Sequence, residues 1–270
     1  MAKSTLDLKD EFAASRERLY FLNPLYILLF STIPVVAGFL CGIQFVLPLF
    51  ITVPSFFVMR RWLMKGKVGT AYAEMLLSCL WMSIPLVLLP LYLPSTAEKV
   101  IFKGPEYVVD MERWINTGGA MEGTPSLFIP EHLIHMAMII LGSILTGGFL
   151  ALFFGAIQMG YMNYYVAWLI KETGGNSSAC LLGWPVWSII RVFSFVLLAV
   201  VLAQPLLHWF NMKRINVRRM FQMIALAIIL EGIDIGMKIS LGPVNQGVLH
   251  RAMEQAVQAA SIVRGLFIWA

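Results

Sequence analysis

Two stretches of this chain are too long and too apolar to cross a membrane once. From Pro24 to Met59 no residue carries a charge, and residues 133–170 hold none after His135. As a single helix the first run would be roughly 54 Å long, against a hydrocarbon core of about 30 Å. Each run must therefore turn back or leave the bilayer. In lipid every backbone polar group needs an internal partner, and apolar runs of this length supply one only as helices. The expected fold class is all-α: a polytopic integral membrane helix bundle.

Composition supports that reading. The chain is 59% hydrophobic and only 13% charged, with a mean hydropathy of +0.77. A soluble domain carries about 25% charged residues, so this one cannot coat a water-facing surface. The net charge of +5 does not point to nucleic acid, because the basic residues lie in short clusters beside apolar runs, as topology signals do. Cys41, Cys79 and Cys180 form no CxxC pair and are expected to be buried thiols. The polar start contains no signal peptide, so the first membrane segment is expected to target the chain.

The basic clusters set the path. Arg16 and Arg18 precede the first run, and Arg60, Arg61, Lys65 and Lys67 follow it. Both ends prefer the cytoplasm, which predicts a tight hairpin, 25–41 and 44–59, turning near Gly42 and Gln44. Pro34, Pro48 and Pro54 suggest kinks or a short re-entrant path. Thr70–Leu93 is a clearer span, residues 94–132 a non-cytoplasmic loop, and 107–115 a short interfacial helix anchored by Trp114. A second basic cluster, Lys213, Arg214, Arg218 and Arg219, follows the span Cys180–Leu207. An even number of crossings must separate the two basic clusters, so 133–170 contributes none or two. With Phe221–Leu241 as the last span, this gives six to seven membrane segments. Residues 1–23 read as a cytoplasmic amphipathic segment, 24–241 as the transmembrane domain and 242–270 as a C-terminal amphipathic helix.

Three clusters carry candidate chemistry. Glu231, Asp234 and Lys238 share one helical face inside an apolar span. Charge at membrane depth costs a few kcal/mol or more per group, so these side chains should face the bundle interior. Asp234 and Lys238 can pair, with Arg191 of the preceding span as the partner for Glu231. The face is either a transport pathway or a buried ion-pair network. Gly232 and Gly236 form a GxxxG suited to close packing, and Ser143 with Gly147 a second small-residue pair. Glu131, His132 and His135 combine types that bind zinc or iron, although a capped helix start at the interface is the simpler account of them. Gln158, Asn163 and Tyr164 are candidates for lining a cavity; with Tyr161, Tyr165 and Trp168 they also suit an interfacial aromatic belt, as do Trp184 and Trp187.

No nucleotide-binding, nucleophile-elbow or haem motif occurs. No cofactor is specified. The expected function is a multi-pass transport component, a permease or ion- or proton-coupled pathway using Glu231, Asp234, Lys238 and Arg191. The alternative is a non-catalytic subunit anchoring a larger membrane complex, and the third an intramembrane metal-dependent enzyme. Expected partners are the lipid bilayer and other membrane subunits, met through the small-residue faces and the C-terminal helix. The expected location is the cell membrane, of bacterial or archaeal inner-membrane type.

Overall fold

The computed structural model describes residues 24–175, 181–209 and 215–268. The amphipathic segment expected at 1–23, Cys180, and the basic residues Lys213 and Arg214 lie outside them. Every regular element among the described residues is helical. Among the described residues four helices are long and apolar enough to cross a membrane: α2 (Val46–Met64), α3 (Val68–Tyr92), α7 (Pro125–Thr146) and α9 (Val186–Trp209).

The two overlong runs both fold into helical hairpins. In the first, α1 comprises Pro24–Ile27, a π-helical stretch Leu28–Thr32 and Ile33–Leu40. Pro34 lacks an N–H and its ring collides with the carbonyl four residues back, which widens the preceding turn. Gly42, at φ +70°, reverses the chain into α2. Within α2 the hydroxyls of Thr52 and Ser55 donate to the carbonyls of Pro48 and Ile51, so neither is left bare in an apolar helix. In the second hairpin, α7 and α8 (Phe149–Glu172) join through Gly147 and Gly148, both at positive φ. The helices approach most closely at Gly142, where an added Cβ would lie 2.9 Å from the backbone nitrogen of Ala151. Gly142 thus makes the small-residue contact expected of Ser143 and Gly147; Ser143 instead donates to the carbonyl of Ile139.

Helix ends show the direction of each element. Gly147 packs against Leu207 and Gly148 against Met59, so the α7–α8 turn lies beside the ends of α2 and α9. At the opposite end Phe45 meets Phe102, and Gln246 donates to the carbonyl of Ile115. Arg60, Arg61, Arg218 and Arg219 thus fall at one end of the bundle, beside the ends of α2 and α9, and residues 93–124 at the other.

α9 is the central post. It packs against α2, α3, α7 and α10 and supplies the core residues Phe195, Val196, Leu197, Leu198, Val200 and Val201. Ser194 donates to the carbonyl of Ala227, 3.0 Å away, where two small residues let α9 and α10 touch.

Three expectations change. The stretch 94–132 is more than a loop with one short helix at 107–115: it folds into α4 (Pro94–Val100), α5 (Gly104–Thr117), which contains the expected helix, and α6 (Ala120–Gly123), and its last residues begin α7. The C-terminal region is no separate helix, because α10 runs unbroken from Val217 to Ile268 through Pro243. At 52 residues it is roughly 78 Å long, far beyond a bilayer core. Its second half packs Leu249 and Ala252 against Val108, Met111, Trp114 and Ile115 of α5. Trp114 and Trp187 are buried in that same cluster, with Trp168 and Trp184 packed against it. Trp114 and Trp187 thus belong to an internal core shared by α5, α8, α9 and α10 instead of a lipid-facing belt.

Candidate functional site

The three charges of α10 point inward as their spacing requires. Glu231 is 4% exposed, Asp234 0% and Lys238 6%. Their partners come from three other elements. Asp234 binds Arg191 of α9, with Nε 3.0 Å from Oδ2 and Nη2 3.3 Å from Oδ1. Glu231 meets His132 of α7 in a short contact between Oε2 and Nε2, and the same nitrogen lies 3.3 Å from Asp234 Oδ2. Lys238 Nζ reaches Glu122 Oε2 of α6 at 2.5 Å and lies 4.1 Å from the centroid of the Phe128 ring.

Two expected pairings are therefore wrong. Asp234 pairs with Arg191 instead of Lys238, and Glu231 pairs with His132 instead of Arg191. Lys238 lies one turn further along α10, level with the α4–α6 cap, and finds Glu122 there. The cap is shaped to deliver that carboxylate. Gly118, at φ +71°, ends α5, and the chain folds back so tightly that a Cβ on Gly123 would fall 2.1 Å from the Gly118 carbonyl. Ala120 takes a left-handed conformation to complete the turn, a strain of the kind often found at functional sites. Burial alone would raise the Glu122 carboxyl, but Lys238 and Arg191 outweigh it and hold the group below the usual carboxylate range.

Between cap and bundle lies a polar cavity of about 490 Å³. Its wall includes Lys103, Glu106, Tyr107, Asp110 and Glu122 from the cap, Glu131, His132 and His135 from α7, Tyr161 from α8, Arg191 and Lys238. Burial pushes the Tyr107 phenol well above its ordinary range, with Glu122 adding to the effect. It therefore serves as a neutral hydrogen-bonding group. A narrower apolar cavity, about 70 Å³, lies deeper in the bundle among Ser55, Cys79, Met82, Ala151 and Phe195. Met162 and Arg191 line both cavities. Arg191 thus stands at the boundary, anchored by Asp234.

The other predicted site residues separate. Glu131, His132 and His135 all line the polar cavity, but they do not form a ligand set among themselves. Successive helical residues turn by about 100°, so Glu131 and His135 share one side while His132 points inward. The metal-like cluster is instead His132, Glu231 and Asp234, whose ligand atoms all lie within 4.8 Å of one another. Gln158 lines the apolar cavity, and its Nε2 lacks a partner. Asn163 is fully buried, donating to the Met159 carbonyl at 2.7 Å and to Ser83 Oγ at 3.4 Å, and lines neither cavity. Tyr164 packs against Gly104 and also lines neither. Gly232 and Gly236 are exposed, and an added Cβ at either meets open space, so the GxxxG packs against no described element.

Two carboxylates were missed, one half-buried and one buried. Glu122 stands in a Gly-rich stretch that reads as loop, and only a partner search for Lys238 would have singled it out. Glu74, 2% exposed in α3, is a lone acidic residue in an apolar span, a signal the sequence did carry. Compared with known family models, with curated proteins and with solved structures, the chain matches none.

Proposed function

We propose that this chain is a transport component of a cell membrane, of bacterial or archaeal inner-membrane type, with the polar cavity as its vestibule. The observation that carries the reading is the cavity of about 490 Å³ that reaches the charged face of α10 through His132, Arg191 and Lys238. Glu231 and Asp234 lie buried directly behind it. Charged groups at membrane depth that meet a polar cavity are the usual furniture of ion and proton pathways. The apolar cavity beyond Arg191 would be the other half of the path, closed in this conformation by the Arg191–Asp234 pair. On this reading seven segments cross the bilayer: both arms of each hairpin, α3, α9 and the first half of α10. The basic end faces the cytoplasm and the cap the opposite side.

The purified chain in proteoliposomes tests this. With an entrapped pH dye and an imposed membrane potential, wild type should conduct protons, and Glu231→Gln should abolish conduction while keeping its elution profile. Vesicles as tight to protons as empty ones, and equally tight to sodium and zinc, would end the transport reading. An anchoring subunit is the second reading. It is favoured by the pairing of all three α10 charges and by the length of α10 beyond any bilayer. It predicts the tight vesicles just described, together with stable co-purification of a second membrane protein.

A further inference from the structure

We infer that His132, Glu231 and Asp234 form a binding site for one divalent transition-metal cation, of the zinc class, at the inner end of the polar cavity. The inference rests on the vestibule reading only for its entry path; the site itself rests on the geometry of three side chains.

The donors are one imidazole nitrogen and two carboxylate oxygens, 4%, 4% and 0% exposed as residues. Metal–ligand distances of about 2.0–2.2 Å place neighbouring tetrahedral donors about 3.4 Å apart. His132 Nε2 and Asp234 Oδ2 already stand at 3.3 Å. His132 and Glu231 stand closer, sharing a hydrogen-bonded proton, and an entering cation would replace that proton and open the contact. A second observation is independent of the spacing. Glu231 Oε1 is buried with no hydrogen-bond partner, although a buried carboxylate oxygen normally has one. A cation would satisfy it.

Arg191 completes the arrangement. It holds Asp234 by two contacts, which fixes the carboxylate as metal sites commonly require. With neutral His132, the two carboxylates and Arg191 sum to one negative charge, so a divalent ion leaves the group at one positive. Imidazole selects against magnesium and calcium, which prefer all-oxygen shells. His132 lines the cavity, leaving an open coordination position on the cavity side for water or a ligand.

The test uses the full chain in detergent after chelator treatment and dialysis. Titration calorimetry with zinc should show one equivalent, unaffected by excess magnesium. Glu231→Gln and His132→Gln should each weaken binding at least tenfold, whereas Glu131→Gln and His135→Ala should bind as wild type does. Cobalt added to wild type should give visible absorption bands distinct from aqueous cobalt, a readout that survives even if a variant fails to fold. No saturable zinc binding, unchanged cobalt bands, or binding lost with His135→Ala but kept in Glu231→Gln would each overturn the site. Absent metal binding with Glu231-dependent proton flux would refute this site and leave the transport reading standing. Stoichiometric zinc with tight vesicles would do the reverse.

Discussion

Removing the Asp234 carboxylate should be rescued by removing Arg191 and by no other cation. Asp234 is 0% exposed and the Arg191 side chain 18% exposed, joined by contacts of 3.0 and 3.3 Å. Asp234→Ala leaves a guanidinium in the bundle with its main counter-ion gone. Breaking a buried pair on one side costs about 3–5 kcal/mol, whereas replacing both partners with apolar groups is often near neutral. Arg191 keeps some contact with the polar cavity, which places the single variant near the lower figure, about 3 kcal/mol. Asp234→Ala with Arg191→Met should recover most of it. Asp234→Ala with Lys238→Met should be worse than the single variant, because it also strips Glu122 of its partner at 2.5 Å. The assay is thermal unfolding in a mild detergent, followed by tryptophan fluorescence and by the fraction still monodisperse after heating. The expected order is wild type, then the Arg191 double, the Asp234 single and the Lys238 double. Rescue by Lys238→Met, or equal stability of the Asp234 single and the Arg191 double, would refute the pairing.

Other consequences are simpler. The Glu122 carboxyl is held below its ordinary range, so its contribution is present above its unfolded pKa and lost as pH falls through the folded one. Lys238→Met should therefore be most destabilised at neutral pH, with its gap to wild type narrowing once pH falls beneath the ordinary carboxylate range, about 4.3; a gap in melting temperature that stays constant throughout the acid titration would contradict this. Gly142→Leu should destabilise the α7–α8 hairpin by about 1–3 kcal/mol through overpacking, seen as a lower melting temperature, while Gly232→Leu, which meets open space, should change it little. Cysteines placed at Gly66 and Asn216 should label from one side of the membrane and at Gly119 from the other; labelling of Gly66 and Gly119 from the same side would end the topology.

Much of the fold was legible because lipid removes choices. Apolar runs longer than a bilayer is thick had to turn back or leave it, and both turn back, at Gly42 and at the Gly147–Gly148 pair, where glycine takes a positive φ at little cost. What failed to show was the order within polar stretches. Apart from the helix at 107–115, residues 94–124 read as loop because Pro and Gly punctuate them, yet Pro94 and Pro105 each lie in the first turn of a helix, where no N–H is needed. The last span was expected to end at Leu241, but α10 continues through Pro243 and packs Leu249 and Ala252 against α5 on its far side.

The site was half legible for a reason that lies in helix geometry. Spacings of three and four residues fix which side chains share a face, so the inward set Glu231, Asp234 and Lys238 followed from α10 alone. They do not fix the height at which a neighbouring helix presents its own charge. That depends on tilt and on where each helix starts, and α7 starts eight residues earlier than the apolar run implied. The early start makes His132 a buried residue within a span and lets it meet Glu231, where an interfacial placement would have left it solvated. Asp234 and Lys238 satisfied the local i,i+4 rule yet took different partners. An i,i+4 pair is worth only about 0.2–0.5 kcal/mol, while a two-contact guanidinium–carboxylate pair out of water is worth far more. Where such a competitor stands at the right height, as Arg191 does, the local rule loses.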